Sequence, residues 1–190
     1  MANDSSELFS AGTGQLYRGA VGASAPATLM TDPAEATWAD LGYATPEGAG
    51  FESAPEFTGI FAWQSRRKLR NIAGETSETL TITLMQLTRY NVQTLFGGGT
   101  FVESPTDIYT YTPPAPEDRD EFALLLDADD GDYRIRWHFR KVSNTSTANI
   151  MFNREGISEL ALTLEVLDPG AGQDAWTFKT NLPSFEDLGS

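Results

Sequence analysis

The chain has 190 residues, 40% of them hydrophobic, with no cysteine and a formal net charge of −14 at pH 7, which fits one domain with an ordinary core. Disulfides and thiol chemistry are therefore excluded, and ordinary nucleic-acid binding is disfavoured because it needs clustered Lys and Arg to displace counterions from phosphate. The chain has neither a run of about 18 apolar residues nor a signal-peptide pattern at its start, so we expect no membrane insertion.

We predict three parts: a flexible N-terminal arm at residues 1–15, which are small, polar and glycine-rich, a single β domain at residues 16–181, and a C-terminal tail at residues 182–190. Short alternating or β-branched segments, separated by Gly, Pro, Asn and Asp, predict the strands of the β domain. In chain order these are residues 15–21, 37–43, 50–57, 61–63, 67–72, 76–87, 100–103, 108–111, 122–126, 133–139, 143–152 (strand or loop), 158–167 and 175–180.

The segment at residues 76–101 is the most informative in the chain. Its first half alternates between apolar and hydroxyl side chains, as a two-faced strand does. Its second half changes to helical spacing, with Thr88 as the predicted N-cap and Gly97 as the stop. In the strand, the apolar face is Leu80, Ile82 and Leu84, and the hydroxyl face is Thr79, Thr81 and Thr83. One face of such a strand can pack on the helix while the other faces water.

A second two-faced strand is predicted at residues 158–167. Its apolar side is Leu160, Leu162, Leu164 and Val166, and its other side is Glu159, Ala161, Thr163 and Glu165. No helices alternate with the strands, so the chain lacks the crossover connections of a parallel sheet. The sequence therefore predicts a mainly β fold: an antiparallel β-sandwich or half-barrel with one flanking α-helix and extended arms or loops.

No group of residues predicts a catalytic, cofactor or metal site. His138 is the single histidine and lies between Trp137 and Phe139, and no Gly-x-Ser-x-Gly motif accompanies it, so we expect a structural role. The acidic segment at residues 127–132 lacks the spacing of a calcium loop, and its Asp-Gly pair predicts a hairpin turn. The three glycines at residues 97–99 follow a helix, whereas a phosphate-binding loop precedes one.

Arg66, Arg67, Lys68 and Arg70 form a concentrated basic cluster in this acidic chain. One interpretation is a solvated strand face, which is the ordinary position of charged side chains. The other is a patch that contacts an acidic surface on another copy of the protein, because crowded like charges are costly unless something offsets them. The second interpretation makes this cluster a predicted subunit or ring interface.

Six segments spread over most of the chain have the order and spacing of a known family. They are residues 38–48 (WADLGYATPEG), 62–65 (AWQS), 84–89 (LMQLTR), 96–100 (FGGGT), 111–117 (YTPPAPE) and 176–181 (WTFKTN). With these segments the sequence resembles the major tail proteins of long-tailed (siphovirus) bacteriophages, especially those of actinobacterial hosts.

The resemblance implies a structural virion protein, not an enzyme and without a cofactor, whose copies form hexameric rings that stack into a hollow tail tube. It implies as partners other copies of the chain, the tape-measure protein and other tail proteins, with transient, non-specific passage of double-stranded DNA. It also implies assembly in the host cytoplasm and a final location in the virion tail.

The two-faced strands agree with such a tube. A channel wall of hydroxyl and carboxylate groups repels DNA and offers it no binding site. The charge of the wall acts over only about 8 Å at physiological salt. We predict a channel-facing set of Thr79, Thr81, Thr83, Glu159, Thr163 and Glu165. The alternative function is a β-sandwich carbohydrate- or receptor-binding module on a virion or cell surface, with Tyr109, Tyr111 and Trp137 stacking on sugars.

Overall fold

The computed structural model describes residues 8–152, 154, 156, 158–170 and 172–185, and antiparallel strands dominate this part of the chain. Its strands are β1 (Thr13–Ala20), β2 (Trp38–Asp40), β3 (Ala44–Ile60), β4 (Arg70–Leu84), β5 (Thr100–Ser104), β6 (Ile108–Thr112), β7 (Glu121–Asp130), β8 (Tyr133–Asn144), β9 (Ile150–Met151), β10 (Glu159–Val166) and β11 (Trp176–Thr180). Its helical elements are α1 (Arg89–Phe96) and short 3₁₀ turns at Pro116–Asp118 and Pro183–Phe185. The mainly β, antiparallel fold with one flanking α-helix is confirmed.

Strand β8 is the centre of the main, nine-stranded sheet. One of its edges pairs with β7, and its other edge is shared by β11, opposite residues 135–139, and β10, opposite residues 142–144. The strand order is β2-β1-β7-β8-β10-β4-β3, with β9 beside β10, while β5 and β6 form a separate hairpin. Along this second edge of β8 the sheet therefore divides into two branches. One is β11 alone, and the other is β10 followed by β4 and β3.

The main core lies between one face of this sheet and α1. The two strands predicted to be two-faced, β4 and β10, pair directly with each other. Their apolar residues are opposed as Leu80 with Leu164, Ile82 with Leu162 and Leu84 with Leu160, and all six are buried. The alternation read from the sequence thus places one side of both strands in the core.

Helix α1 begins and ends where the sequence predicts. Thr88 is the N-cap, and its hydroxyl oxygen accepts a hydrogen bond from the backbone N–H of Asn91 at 3.2 Å. Gly97 ends the helix in the left-handed region at a φ of 72°, where a residue with a Cβ is disfavoured. The N-cap bond joins residues three apart, and the stop depends on the φ of one glycine. Both ends of the helix can therefore be predicted from local sequence.

Two buried asparagines fasten α1 to its surroundings. The Nδ2 of Asn91 donates to the carbonyl oxygens of Leu41 and Gln86, both at 2.8 Å. The Nδ2 of Asn144, at the end of β8, donates to the last carbonyls of the helix, the nearer being that of Leu95 at 2.6 Å. A helix leaves its last carbonyls without intrahelical partners, so this amide satisfies groups that would otherwise be buried unpaired.

The opposite face of the sheet is partly covered by the segment at residues 21–37. A small apolar cluster that includes Trp38 and Leu125 packs against Ala23 and Ala25 of this segment. The indole N–H of Trp38 donates to the backbone carbonyl of Ser24 at 3.2 Å. The segment is thus held by a second, smaller core.

A buried ion pair anchors the same segment. Arg136 and Asp127 face each other across β8 and β7, are each 1% exposed, and make two hydrogen bonds of 2.6 and 2.5 Å. The Nη2 of Arg136 also donates to the backbone carbonyl of Thr31 at 3.0 Å. Beside this pair, a hydrogen bond with Asp129 raises the pKa of Arg134. The Arg134 guanidinium therefore stays charged and donates to Asp32, and the segment is tied to the sheet by charge-assisted bonds.

The structure corrects the prediction for residues 44–87. The strands predicted at residues 50–57, 61–63, 67–72 and 76–87 are replaced by two long paired strands, β3 and β4. Residues 61–63 are not a strand and lie in the loop between them. Pro46 and Pro55 do not interrupt β3, because it is an edge strand and a register shift lies beside each proline. Cross-strand pairing here overrides local turn signals.

The predicted terminal segments are described only in part. Strand β1 begins at Thr13, so its first residues fall inside the range predicted for the arm. In the tail, Leu182 is buried and is followed by the 3₁₀ turn at Pro183–Phe185. The rest of the predicted arm and tail, residues 1–7 and 186–190, lies outside the described residues.

Replacing Asn144 with Ala removes the amide that satisfies the last carbonyls of α1. We expect Asn144→Ala to lower the free energy of unfolding by about 1–3 kcal/mol, because these buried acceptors lose their partner. Urea unfolding measures the change, and Asn149→Ala, at an exposed position, is the matched control. A loss no larger than that of the control would contradict the prediction.

Replacing Arg136 with Met leaves Asp127 as a buried carboxylate without a counter-charge. We expect Arg136→Met to lower the free energy of unfolding by about 3–5 kcal/mol. Lys141→Met on the same strand removes the more exposed ion pair with Glu121 and should cost less than about 1 kcal/mol. Equal losses in the two variants would show that the buried Arg136–Asp127 pair contributes no more to stability than the more exposed Lys141–Glu121 pair.

Candidate assembly surfaces

The outer half of the β3–β4 hairpin extends beyond the core. Residues 70–77 of β4 are all exposed, and so are residues 52–58 of β3. At about 3.3 Å per residue, the chain from Leu80 in the core to Arg70 spans roughly 30 Å. A register shift between Pro55 and Phe57 bends the hairpin on the way. The hairpin is therefore a long projection from the body of the protein.

The outer half of this hairpin is apolar as well as exposed. Trp63, in the loop at its end, is 101% exposed. Five further large apolar side chains are 41–64% exposed: Phe57, Ile60, Phe61, Leu69 and Ile72. Exposed apolar side chains are ordinary when scattered, but six of them on one projecting hairpin indicate a contact with another macromolecule.

The predicted basic cluster lies at the end of the same hairpin. Arg66, Arg67, Lys68 and Arg70 are all exposed and lie beside the apolar residues of the loop. In the described part of the chain none of the four has a carboxylate within 4.0 Å. The structure thus joins the cluster to Trp63 in one surface, here called the hairpin tip (residues 60–70), which sequence reasoning did not connect.

The predicted channel-facing residues lie on one polar face of the sheet. Thr79 is opposite Glu165 and Thr81 is opposite Thr163 across β4 and β10, whereas Glu159 is opposite β9. Thr81 and Glu159 are exposed, and Thr79, Thr83, Thr163 and Glu165 are half-buried. This face is the reverse of the one that packs on α1, because successive side chains of a strand point to opposite sides.

The polar face continues as one row across five strands. The row consists of Glu52 on β3, Thr79 on β4, Glu165 on β10, Ser143 on β8 and Glu121 on β7. Carboxylates alternate with hydroxyls along it, so no two carboxylates are directly opposed. Sequence reasoning missed Glu52, Ser143 and Glu121, because nothing in the local period of a strand reveals its neighbours in a sheet.

Strand β3 also has a free outer edge. It is the last strand in the order of the sheet, and no strand in the described ranges pairs with its outer side. Because β3 has 17 residues, this edge presents a long row of backbone N–H and C=O groups without strand partners. Such an edge can accept a strand of another chain.

His138 is buried on the face covered by residues 21–37. Its ring meets that of Trp38 edge-on, with 5.8 Å between the ring centroids. Burial and then the charge of Arg140 lower the pKa of His138 to about 4, so the imidazole is neutral at pH 7. The histidine contributes to the packing of this face, as the sequence predicts.

The acidic segment at residues 127–132 is the end of β7 followed by the predicted turn, which lies at residues 131–132 with Gly131 at a φ of 62°. Asp127 and Asp129 are bound by Arg136 and Arg134 respectively. Within the described ranges, no group of three or more His, Cys, Asp or Glu side chains is placed to hold a metal ion.

The aromatic residues considered for sugar stacking do not form an open platform. Trp137 is half-buried, with its ring centroid 5.1 Å from that of Trp176 and 5.3 Å from that of Phe178. Tyr111 is half-buried, and its hydroxyl donates to a backbone carbonyl at 2.8 Å. Only Tyr109 of the three is largely exposed, at 60%. A carbohydrate site built from these residues is not supported.

Comparisons with known proteins agree with an assembly role. The model of a family described as "Phage tail tube protein" matches residues 1–185. No curated protein matches the chain. In the part of the chain that the structure describes, no helix has the length and apolar character needed to cross a bilayer.

Proposed function

Because the chain belongs to the phage tail tube protein family, we propose that its copies form hexameric rings that stack into the tube of a siphovirus tail, the conduit for DNA ejection into the host. Membership of the family makes the protein a structural component of the virion tail. The observation that carries the finer proposal is the hairpin tip, whose apolar side chains lie outside the core of their own chain.

The hairpin tip supplies the contact between successive rings. Complete burial of one large apolar side chain is worth about 1.5–3 kcal/mol, so burying Trp63 and its neighbours against another copy strongly favours association. The tip must meet a different part of the next copy, because it projects away from its own body. A contact between two different surfaces that does not close on itself generates a filament.

Charge favours the same contact. Without the four cations of the cluster, the rest of the chain has a formal charge of −18, obtained as −14 minus 4. Arg66, Arg67, Lys68 and Arg70 are therefore attracted to the body of any neighbouring copy. Screening limits this attraction to about 8 Å at physiological salt, so it acts once the tip approaches its partner and makes assembly dependent on salt.

The free edge of β3 supplies the contact within a ring. A strand edge of this length is an aggregation hazard in a monomer, and adding a strand of the neighbouring subunit removes it. Repeating that addition around a closed ring leaves no edge exposed. The hexameric symmetry itself rests on the resemblance to siphovirus tail proteins.

The polar row lines the bore of the tube. Glu52 and Glu165 repel the phosphate backbone, Glu121 is paired with Lys141, and the hydroxyls of Thr79 and Ser143 are uncharged. Thr81, Thr83, Glu159 and Thr163 complete the channel-facing set. The five residues of the row themselves include no cation that would hold DNA by releasing its counterions.

The remaining partners follow from the tail itself. The tape-measure protein and other tail proteins are the partners that the resemblance to siphovirus tail proteins implies. Assembly takes place in the host cytoplasm, and actinobacteria are the expected hosts. The repeating unit is the single domain at residues 16–181, and the flanking residues 1–15 and 182–190 contact neighbouring copies.

Reversing the charge of the hairpin tip tests the contact between rings. We expect the triple variant Arg66→Glu, Arg67→Glu and Lys68→Glu to fold normally but to form no long tubes, because the tip then repels its acidic partner. Circular dichroism checks the fold and negative-stain microscopy counts the tubes. Trp63→Ala should shorten the tubes, whereas Tyr90→Ala, at a half-exposed aromatic on α1, should not. Normal tubes from both hairpin variants would show that the hairpin tip does not take part in the contact between rings.

Reversing the charge of the polar row tests the bore. We expect tubes of the double variant Glu52→Lys and Glu165→Lys to retain short double-stranded DNA in a nuclease-protected form at low salt and to release it as salt rises. The control is Glu117→Lys with Asp118→Lys, the same change of net charge on the exposed turn at Pro116–Asp118. Equal amounts of protected DNA in the two kinds of tube would place the row outside the bore.

A further inference from the structure

A small cationic pocket lies beside the segment at residues 21–37 and has a volume of about 200 Å³. Strand β8 contributes Arg136, His138 and Arg140 to its wall, and β11 contributes Thr177 and Lys179. The pairing of the two strands sets Thr177 opposite His138 and Lys179 opposite Arg136. The pocket is therefore built on rigid sheet and not on a loop alone.

The positive charge of this pocket is only partly neutralised. Arg136 is paired with Asp127, but among the described residues neither Arg140 nor Lys179 has a carboxylate within 4.0 Å. Lys179 lies directly opposite Arg136, and like charges in that position repel. Carboxylates are abundant in this chain, which has 27 acidic residues and 13 Lys and Arg. Cations that nevertheless have no neighbouring carboxylate indicate an anion-binding site.

Two buried nitrogen atoms at the pocket lack a hydrogen-bond partner among the described residues: the Nε of Arg140 and the Nε2 of His138. The imidazole is 5% exposed and already hydrogen-bonds with the backbone of Ala23. Buried polar atoms are nearly always satisfied in folded proteins. Arg140 lines the cavity, so its unpaired guanidinium N–H favours an acceptor beside that side chain.

We propose that this pocket binds a carboxylate held by Arg140 and Lys179 against the imidazole of His138. Its two oxygens accept from the guanidinium and ammonium groups, and the hydroxyls of Thr177 and Ser24 line the rim. A free small carboxylic acid and an Asp or Glu side chain of a second copy offer the same chemistry. The experiment below separates these two sources, and the site does not depend on the function proposed above.

The single histidine of the chain reports whether the pocket is occupied. In the empty pocket, burial and then the charges of Arg140 and Lys179 lower the pKa of His138 to about 4. The other charged groups near the ring are Arg136 and the Asp127 that it binds. A carboxylate beside the ring stabilises the imidazolium, so it raises the pKa of His138 by about one unit or more, and protonation of the ring strengthens its binding.

Titration of His138 by NMR of the ¹³C,¹⁵N-histidine-labelled, untagged full chain tests the proposal. In unassembled protein we expect sodium acetate, compared with sodium chloride at equal ionic strength, to raise the titration midpoint by about one unit if a free carboxylate fills the pocket. In assembled chains without acetate, solid-state NMR reads the same ring. A midpoint already raised there, and not moved further by acetate, identifies a carboxylate of a second copy. A midpoint near 4 in both states, insensitive to acetate, overturns the proposal.

Two variants separate a specific site from a general effect of ions. Lys179→Gln, at an exposed position, should reduce the response by at least about half, because one of the two free cations is gone. Lys141→Gln, on β8 beside Arg140, removes a cation that Glu121 already pairs, and it should keep the full response. A response of the same size in Lys179→Gln as in the unaltered chain also overturns the proposal.

Discussion

The β3–β4 hairpin is longer than the core that supports it. Its outer half is therefore exposed, and the contact surfaces of the molecule follow from this difference in length. Its inner half places Leu80, Ile82 and Leu84 in the core, so burial sets the register of the whole hairpin. Beyond the core the pairing continues, and apolar residues such as Phe57 and Trp63 have nothing of their own chain to cover them. Burying these side chains against another molecule lowers the free energy of the system, so the hairpin favours the association that a tube-forming subunit requires.

The same register determines the electrostatics of the opposite face. A strand that points its leucines into the core must point Thr79 and Glu165 away from it, because side chains alternate with a period of two. The pairing of β10 with β8 and of β8 with β7 then extends the row to Ser143 and Glu121. A slip of one residue in β4 would exchange the core and the polar row, so folding and the proposed channel chemistry share one constraint.

A few buried polar groups hold the rest of the fold on this sheet. Asn91 and Asn144 bind backbone carbonyls at the two ends of α1, and the Arg136–Asp127 pair binds the segment at residues 21–37. The side-chain nitrogens of these residues donate to partners on other elements, so each specifies one arrangement of elements. The Nε of Arg140, near the same segment, has no such partner among the described residues.

The sequence by itself determined the features whose signals are local: the ends of α1 at Thr88 and Gly97, the Asp-Gly turn, and the two faces of β4 and β10, since capping, turn geometry and alternation need no distant partner. It also identified the basic cluster and two residues of the polar row, Thr79 and Glu165. Only the tertiary structure decided that residues 44–60 and 70–84 form one hairpin, that Trp63 joins the basic cluster, and that Glu52, Ser143 and Glu121 complete the row. Strand neighbours are chosen by the summed burial and hydrogen bonding of the whole sheet, and no short stretch of sequence contains that information.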